Sequence, residues 1–300
     1  MIYTVTFNPS LDYHMALSSP LSEDVPNRVK SPCFVPGGKG LNVSFALSSL
    51  GVDNTALCFS GGDTGKMLEN MLSSRGQKYE CVSVPSPTRV NVKVSENEKM
   101  YELNASGSEI PKEHARALLS RLERLTGDDT VIFSGSTPSC ELNLYREGIT
   151  CAKKNDACVI ADTSGEKLSD CASLGAFLLK PNEHEIRELF GNGDVTENAK
   201  RLCRLGAEYV LLSLGEKGAV LLSDTVEYRC EIPFKMPVLN TVGAGDSMLA
   251  GFVYAYKNGY SLPDCLRCAV SAGSCKAYTP PEKPFDVQLF EKLFERSEVL

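Results

Sequence analysis

Asn240-Thr241-Val242-Gly243-Ala244-Gly245-Asp246-Ser247, continuing Met248-Leu249-Ala250-Gly251-Phe252, is the stretch whose reading decides the fold. Val238 and Leu239 before it read as the end of a strand or loop, and residues 247–257 are apolar and numerous enough for a buried helix. A helix that opens on Gly-Ala-Gly leaves several backbone N–H groups unpaired, with the positive end of the macrodipole behind them. The glycines admit an anion such as phosphate close to that backbone. Asp246 has a plain reading there as a helix N-cap. It also has a chemical one. Phosphoryl transfer to an alcohol needs a carboxylate beside an anion-cradling turn: the base takes the hydroxyl proton while N–H groups stabilise the transferring charge.

The chain upstream supplies the scaffold for such a turn. From Lys112 onward, short apolar strands alternate with helices at 115–125, 145–154 and 199–205. The strands are predicted at 131–133, 158–161, 177–179 and 210–212. They end, in turn, in Ser134-Gly135-Ser136, Asp162-Thr163-Ser164-Gly165, Lys180-Pro181-Asn182-Glu183-His184-Glu185 and Ser213-Leu214-Gly215-Glu216-Lys217-Gly218. Strands that are apolar throughout and separated by helices imply a parallel sheet covered on both faces. Its ligand crevice lies at the carboxyl ends of the strands, where Ser136, Asp162, Asn182, Glu185, Ser213 and Gly215 fall.

Nearer the N-terminus, residues 2–8 predict a strand and Gly37-Gly38-Lys39-Gly40 opens a helix that Gly51 ends. A strand at 55–59 and a helix reaching Arg75 follow, and helices at 262–278 and 287–294 close the chain. Two segments, about 13–36 and 88–106, break this rhythm with short strands. They are expected to pair into one small sheet projecting over the strand ends of a single domain, as a lid that excludes water. In the second segment, residues 88–94 alternate strictly, Glu96-Asn97-Glu98 turns the chain and residues 100–104 return. Val90, Val92 and Val94 share one face; Arg89, Asn91 and Lys93 share the other. On the residues alone, the polar face reads by default as solvated, and a strand holding an anionic substrate is the alternative.

Composition narrows the classes further. In 300 residues, 42% are hydrophobic, which supports a sizeable core, and the net charge is −7 with no basic block, which argues against nucleic acid or an anionic membrane surface as partner. No apolar run is long enough to span a bilayer, and the opening Met1-Ile2-Tyr3-Thr4-Val5-Thr6-Phe7 lacks the form of a signal peptide. The 12 cysteines sit singly in apolar runs, as in the core of a reduced, cytoplasmic protein. Cys265, Cys268 and Cys275 share a helical face but lack a second ligand pair, so no metal centre is expected there. The run Gly61-Gly62-Asp63-Thr64-Gly65-Lys66 fails as a Walker A loop, because Ser60 and Met67 occupy the required positions. The absence of G-x-G-x-x-G near the first strand argues against a nicotinamide dehydrogenase.

Eight stretches, in order, carry a resemblance to a known family. They are Thr6-Phe7-Asn8-Pro9-Ser10-Leu11-Asp12, Val25-Pro26-Asn27-Arg28-Val29, Gly37-Gly38-Lys39-Gly40-Leu41-Asn42-Val43, Thr88-Arg89-Val90-Asn91-Val92-Lys93, Ser134-Gly135-Ser136, Lys180-Pro181-Asn182-Glu183-His184-Glu185, Ser213-Leu214-Gly215, and residues 240–247. Over essentially its full length the chain resembles the ribokinase-like carbohydrate kinases of the phosphofructokinase-B group. The resemblance implies a doubly wound, mostly parallel α/β sheet with a β-lid, often completed by homodimerisation through the lids, and it implies ATP and Mg²⁺. By resemblance Asp246 is the general base, and Gly243, Ala244 and Gly245 form the anion hole. Lys180, Asn182, Glu185, Ser213, Gly215 and Gly218 serve the nucleotide, with Mg²⁺ held mainly by ATP phosphates near Asn182 and Glu185. Asp12, Gly38, Lys39 and Asn42 hold sugar hydroxyls, and Arg28, Arg89, Asn91, Lys93 and Ser136 take the substrate's own phosphate. Within the group, Thr-Arg-Val-Asn-Val-Lys and Asn-Thr-Val-Gly-Ala-Gly-Asp-Ser-Met are most similar to kinases that phosphorylate the 6-hydroxyl of fructose 1-phosphate. Kinases of tagatose 6-phosphate or fructose 6-phosphate are the alternative. A non-catalytic sugar-phosphate or nucleotide sensor is the reading from another class, and the intact Asp246 and anion hole argue against it.

Overall fold

The alternation of apolar strands and helices resolves into two sheets in the computed structural model, which describes residues 1–96, 99–280, 283 and 285–299. The chain begins with β1 (Ile2–Thr6), β2 (Ser10–Leu17), β3 (Val29–Gly37), α1 (Lys39–Ser49), β4 (Thr55–Gly61), α2 (Gly62–Ser74) and β5 (Tyr79–Val84). It continues with β6 (Arg89–Glu96), β7 (Lys99–Leu103), α3 (Lys112–Leu119), β8 (Thr130–Ser134), α4 (Leu144–Lys154), β9 (Cys158–Asp162), α5 (Glu166–Ser173) and β10 (Leu178–Leu179). Then come α6 (Glu183–Phe190), α7 (Val195–Leu205), β11 (Tyr209–Ser213), β12 (Ala219–Leu222), β13 (Glu227–Cys230), α8 (Ala244–Lys257), α9 (Leu262–Tyr278) and α10 (Val287–Arg296). The turn expected at Asn97 and Glu98 lies outside the described residues.

The larger sheet has the order β13-β12-β11-β10-β9-β8-β1-β4-β5. It is parallel from β5 to β11, and β12 and β13 add an antiparallel edge. Alternate side chains of each strand enter two separate cores. Val131, Phe133, Val159, Ala161, Val210 and Leu212 pack with α3 to α7, whereas Ile132, Ile160 and Leu211 pack with α1, α8, α9 and α10. Apolar contact on both faces is why these strands carry no alternation. From β1 the chain steps out to β4 and β5, then crosses back to β8 and onward to β11. The sheet therefore reverses its strand order beside β1, which opens a crevice at the carboxyl ends.

Several elements lacked a prediction. Strand β5 mixes exposed and buried positions on the sheet edge, so its pattern is half polar. The hairpin β12–β13 follows Gly218, whose φ is +85° and whose added Cβ would meet the Cys230 carbonyl oxygen at 2.1 Å. Helix α6 opens on a capping box in which Asn182 and Glu185 satisfy each other's backbone N–H.

The smaller sheet has the order β3-β2-β6-β7 and joins the two segments that interrupt the α/β rhythm. Its register pairs Ser10 with Arg89, Asp12 with Asn91 and His14 with Lys93, which collects polar side chains on one face. That face is not solvated, contrary to the default reading of its alternation: Asn91 and Lys93 are only 5% and 4% exposed. The other face, with Tyr13 stacked on Phe34 at 4.4 Å, is the half-open one. Near its base this face contacts Leu41, Leu68 and Leu72. Further out Val92 and Val94 are half-buried, and their register partners Leu103 and Tyr101 are exposed.

Candidate active site

The carboxyl ends of β9 and β10, the start of α1 and the start of α8 converge on one charged cluster. Gly243 is the N-cap of α8 in the left-handed region, at φ 80°, a conformation that favours glycine. It turns the first helical amides outward. Ala244 N–H bends back to the Thr241 carbonyl at 3.3 Å. The amides of Gly245 and Asp246 stand in the first turn, where a helix offers no acceptor. A Cβ on Gly245 would lie 3.2 Å from Lys180 Nζ, so a cation stands directly beside this turn.

Asp246 is buried, and its Oδ2 accepts a 2.8 Å hydrogen bond from Asn42 Nδ2 on α1. Asp162, at the end of β9, is fully buried between Lys39 Nζ at 2.9 Å and Lys180 Nζ at 3.2 Å. Burial alone would raise the Asp162 carboxyl, but Lys180 and then Lys39 outweigh it and hold the carboxyl below its usual range. The Asp162 charge raises Lys39 in return. Asp246 goes the other way. Burial, and then the negative charge of Asp162, push it up to about 6 against the opposing pull of Lys39, Asn42 and Lys180. A carboxyl titrating there is ionised at neutral pH, yet more basic than an exposed aspartate, as a general base requires.

On the small sheet, Asp12 Oδ1 accepts from Ser10 Oγ at 2.7 Å and Asn91 Nδ2 at 2.8 Å, and Asn91 Oδ1 accepts from the Ala105 amide. A cleft of about 560 Å³ lies between this sheet and the helices, lined by Asp12, His14, Asn42, Gly243, Ser247 and Lys276 among others. Gly38 caps α1 at φ 115°, with Thr6 Cγ2 only 2.8 Å from where a Cβ would stand, so the chain at this end of the cleft requires glycine.

The residues expected to meet a substrate phosphate divide. Ser136 Oγ accepts from Asn8 Nδ2 at 3.1 Å at the strand-end crevice. Arg89 is half-buried, and its guanidinium donates to the carbonyls of Asn8, Ala105 and Pro9 at 2.8, 2.6 and 3.4 Å. Lys93 is held by Glu102 at 2.5 Å and Asn104 at 3.0 Å. Arg28 is exposed, just before β3, at the end of that strand remote from Gly37 and Asp12. Geometry therefore makes Arg89 a brace between loops and leaves Arg28 outside the cluster.

The nucleotide residues lie across the crevice. Asn182 and Glu185 are tied by their capping box, with Glu185 Oε1 turned to 3.8 Å from Lys39 Nζ. Ser213 ends β11 beside Pro181, and Gly215 and Gly218 bracket a single 3-10 turn before β12. Asp162, His14 and Lys276 are among the residues of the cluster and cleft that carried no role in the sequence reading. Asp162 had a legible signal, as the charged residue that ends the apolar run 158–161. Lys276, toward the end of the mostly apolar α9, offered a weaker one, and His14 offered none.

A family model for pfkB family carbohydrate kinases matches residues 5–280. This chain belongs to the pfkB family of carbohydrate kinases. It is an ATP-dependent phosphotransferase of that family with a ribokinase-like fold. This kinase is 37% identical over 284 residues to the 1-phosphofructokinase of Borreliella burgdorferi, covering 92% of each chain. It is 35% identical to the 1-phosphofructokinase of Bacillus subtilis, covering 93% of each. It is also 35% identical to the D-tagatose-1-phosphate kinase of Bacillus licheniformis, again covering 93% of each. Among solved structures, phosphofructokinase-2 from Escherichia coli in complex with fructose-6-phosphate superposes with a TM-score of 0.90 at 28% identity, covering 98% of each chain.

Proposed function

We propose that this kinase transfers the terminal phosphoryl group of ATP to the 6-hydroxyl of fructose 1-phosphate, giving fructose 1,6-bisphosphate. The observation that carries the chemistry is Asp246, buried at the amide-lined start of α8 and raised to about 6. The substrate reading rests on relatives that are 1-phosphofructokinases, two of them described above, and the D-tagatose-1-phosphate kinase favours the same class, a ketohexose 1-phosphate.

In this reading Asp246 takes the proton of the acceptor hydroxyl, and Asn42 fixes its orientation through the 2.8 Å bond to Oδ2. The amides opening α8 face the equatorial oxygens of the transferring group, with Lys180 and Lys39 beside them. Asp12 and Asn91 present oriented polar atoms to the sugar across the cleft. The substrate's phosphate lies toward Ser136 and the loops braced by Arg89. Among the described residues no three His, Cys, Asp or Glu side chains are grouped to hold a metal. In this reading Mg²⁺ would be held largely by ATP phosphates and water, with few protein carboxylates, near Asn182 and Glu185. When bound, Mg²⁺ neutralises charge on the phosphates. The whole chain acts as one catalytic domain whose smaller sheet closes over the cleft. The half-open face around Tyr13, Phe34, Tyr101 and Leu103 favours a homodimer joined through these sheets. No described helix is long and apolar enough to cross a membrane.

Steady-state kinetics with MgATP tests the proposal, comparing kcat/KM for fructose 1-phosphate, tagatose 1-phosphate, fructose 6-phosphate and tagatose 6-phosphate. A preference of at least about tenfold, near 1.4 kcal/mol, for fructose 1-phosphate is expected. A preference for either 6-phosphate would overturn the substrate assignment and leave the family standing.

A further inference from the structure

Two thiols lie against each other outside the cluster described above. Cys58 of β4 and Cys81 of β5 are register partners on adjacent parallel strands, and their Sγ atoms are 3.2 Å apart. Neighbouring strands run about 4.8 Å apart, inside the roughly 4.4–6.8 Å range of Cα separations that a disulfide spans. The sulfurs, at 3.2 Å, have about 1.2 Å left to close to reach a disulfide bond length. The two thiols differ in access: Cys58 is fully buried, and Cys81 is partly open to solvent.

We propose that Cys58 and Cys81 form a reversible modification site, closing to a disulfide under thiol–disulfide exchange with a small disulfide such as oxidised glutathione. The accessible Cys81 thiolate attacks one sulfur of the small disulfide, forming a mixed disulfide and releasing one glutathione thiolate. Cys58, as thiolate, then attacks Cys81 Sγ and expels the second glutathione. The protons of the two cysteine thiols pass through solvent to the two leaving thiolates. In sum, two protein thiols are oxidised to one disulfide and one oxidised glutathione is reduced to two thiols.

The second step is the slower one. The hydrogen bond with Cys81, followed by burial, pushes the Cys58 thiol well above its ordinary value, so closure accelerates with rising pH. The site lies at the root of the smaller sheet. Strand β5 leads through Thr88 into β6, and Thr88 is clamped to β4 by its N–H to Gly61 O at 2.8 Å and by Gly61 N–H to its Oγ1 at 3.1 Å.

The test is peptide mapping of the full chain after native incubation with excess oxidised glutathione, acid quench and alkylation. The expected result is a Cys58–Cys81 disulfide as the major product, reversed by dithiothreitol and formed several-fold faster in mildly alkaline than in neutral buffer. Cys58→Ser is expected to trap a lasting glutathione adduct on Cys81, and Cys81→Ser to give no product at Cys58. Both thiols remaining alkylatable in the wild-type chain while the exposed Cys33 carries the glutathione would overturn the proposal. So would a wild-type Cys81 adduct that never proceeds to Cys58. The wild-type mapping needs no variant, so a misfolded substitution does not blunt the test.

Discussion

Replacing Asp246 with asparagine separates the base from its surroundings, because the amide keeps the shape of the side chain and an oxygen for Asn42 Nδ2 to meet. If Asp246 takes the hydroxyl proton, kcat falls by about 10²–10⁴-fold, or about 3–5 kcal/mol in the barrier. Acid dependence goes with it. With the wild-type carboxyl near 6, roughly nine-tenths of it is ionised one unit above that value and one-tenth one unit below, so the wild-type rate drops about tenfold per unit on the acid side. Asp246→Asn loses that limb. Stability moves oppositely. The folded value lies above the unfolded one, so the folded protein binds the proton more tightly. This group's contribution is therefore most favourable below the ordinary aspartate value and is lost as pH rises through about 6. Two units correspond to a penalty on the order of 2–3 kcal/mol at neutral pH, which the asparagine relieves. A coupled ADP-release assay across pH, with thermal melts of both proteins, reads all three quantities. Near-normal turnover, or an acid limb persisting in the variant, would refute the assignment; a neutral-pH melting temperature below wild type would refute the account of its buried charge.

Three further substitutions probe the neighbours. Lys39→Met removes a cation that pulls the Asp246 carboxyl down, so the acid limb of kcat/KM moves above pH 6; a limb that stays put or moves lower contradicts the coupling. Gly245→Ala places a methyl 3.2 Å from the flexible tip of Lys180, in the space where an anion would approach. It is expected to leave the melting temperature unchanged or slightly higher while cutting kcat by about tenfold or more; unchanged kcat would mean that no anion docks there. Arg89→Ala strips donors from the carbonyls of Asn8, Pro9 and Ala105. A stability loss of about 1–3 kcal/mol is expected, with a raised KM for the sugar phosphate but not for ATP, and both unchanged would leave the brace without a role.

The parallel sheet was legible because a strand buried on both faces has to be apolar throughout, and the runs at 131–133, 158–161 and 210–212 announce that directly. The start of α8 was legible because few helices open on two glycines and an acid. Orientation of the small sheet was not. Alternation in Arg89-Val90-Asn91-Val92-Lys93-Val94 defines two faces, but which one is covered depends on what packs against it, and nothing within the strand encodes that. The covered face proved to be the polar one, satisfied by Ser10, Asp12, Glu102 and Asn104 from other strands and loops. The bonds of Arg89 to loop carbonyls were not legible for a related reason. Its partners Asn8 and Pro9 stand some eighty positions upstream, and a single strand shows an arginine's charge but not what has claimed it.

Asp162 shows most clearly why a site exceeds its motif. Burial raises the Asp246 carboxyl, and the two lysines beside it pull the other way. Asp162 sits between them, fully buried, and its charge opposes their pull on Asp246 while fixing both ammonium groups in place. The lysines thus remain positioned for phosphate while Asp246 stays basic enough to take a proton. Each requirement is set by a residue on a different element: α1 supplies Lys39 and Asn42, β9 supplies Asp162, the segment after β10 supplies Lys180, and α8 supplies Asp246. Only the crossing of the sheet beside β1 brings these separate stretches to one edge, so the motif at 240–247 names the base and the fold sets its strength.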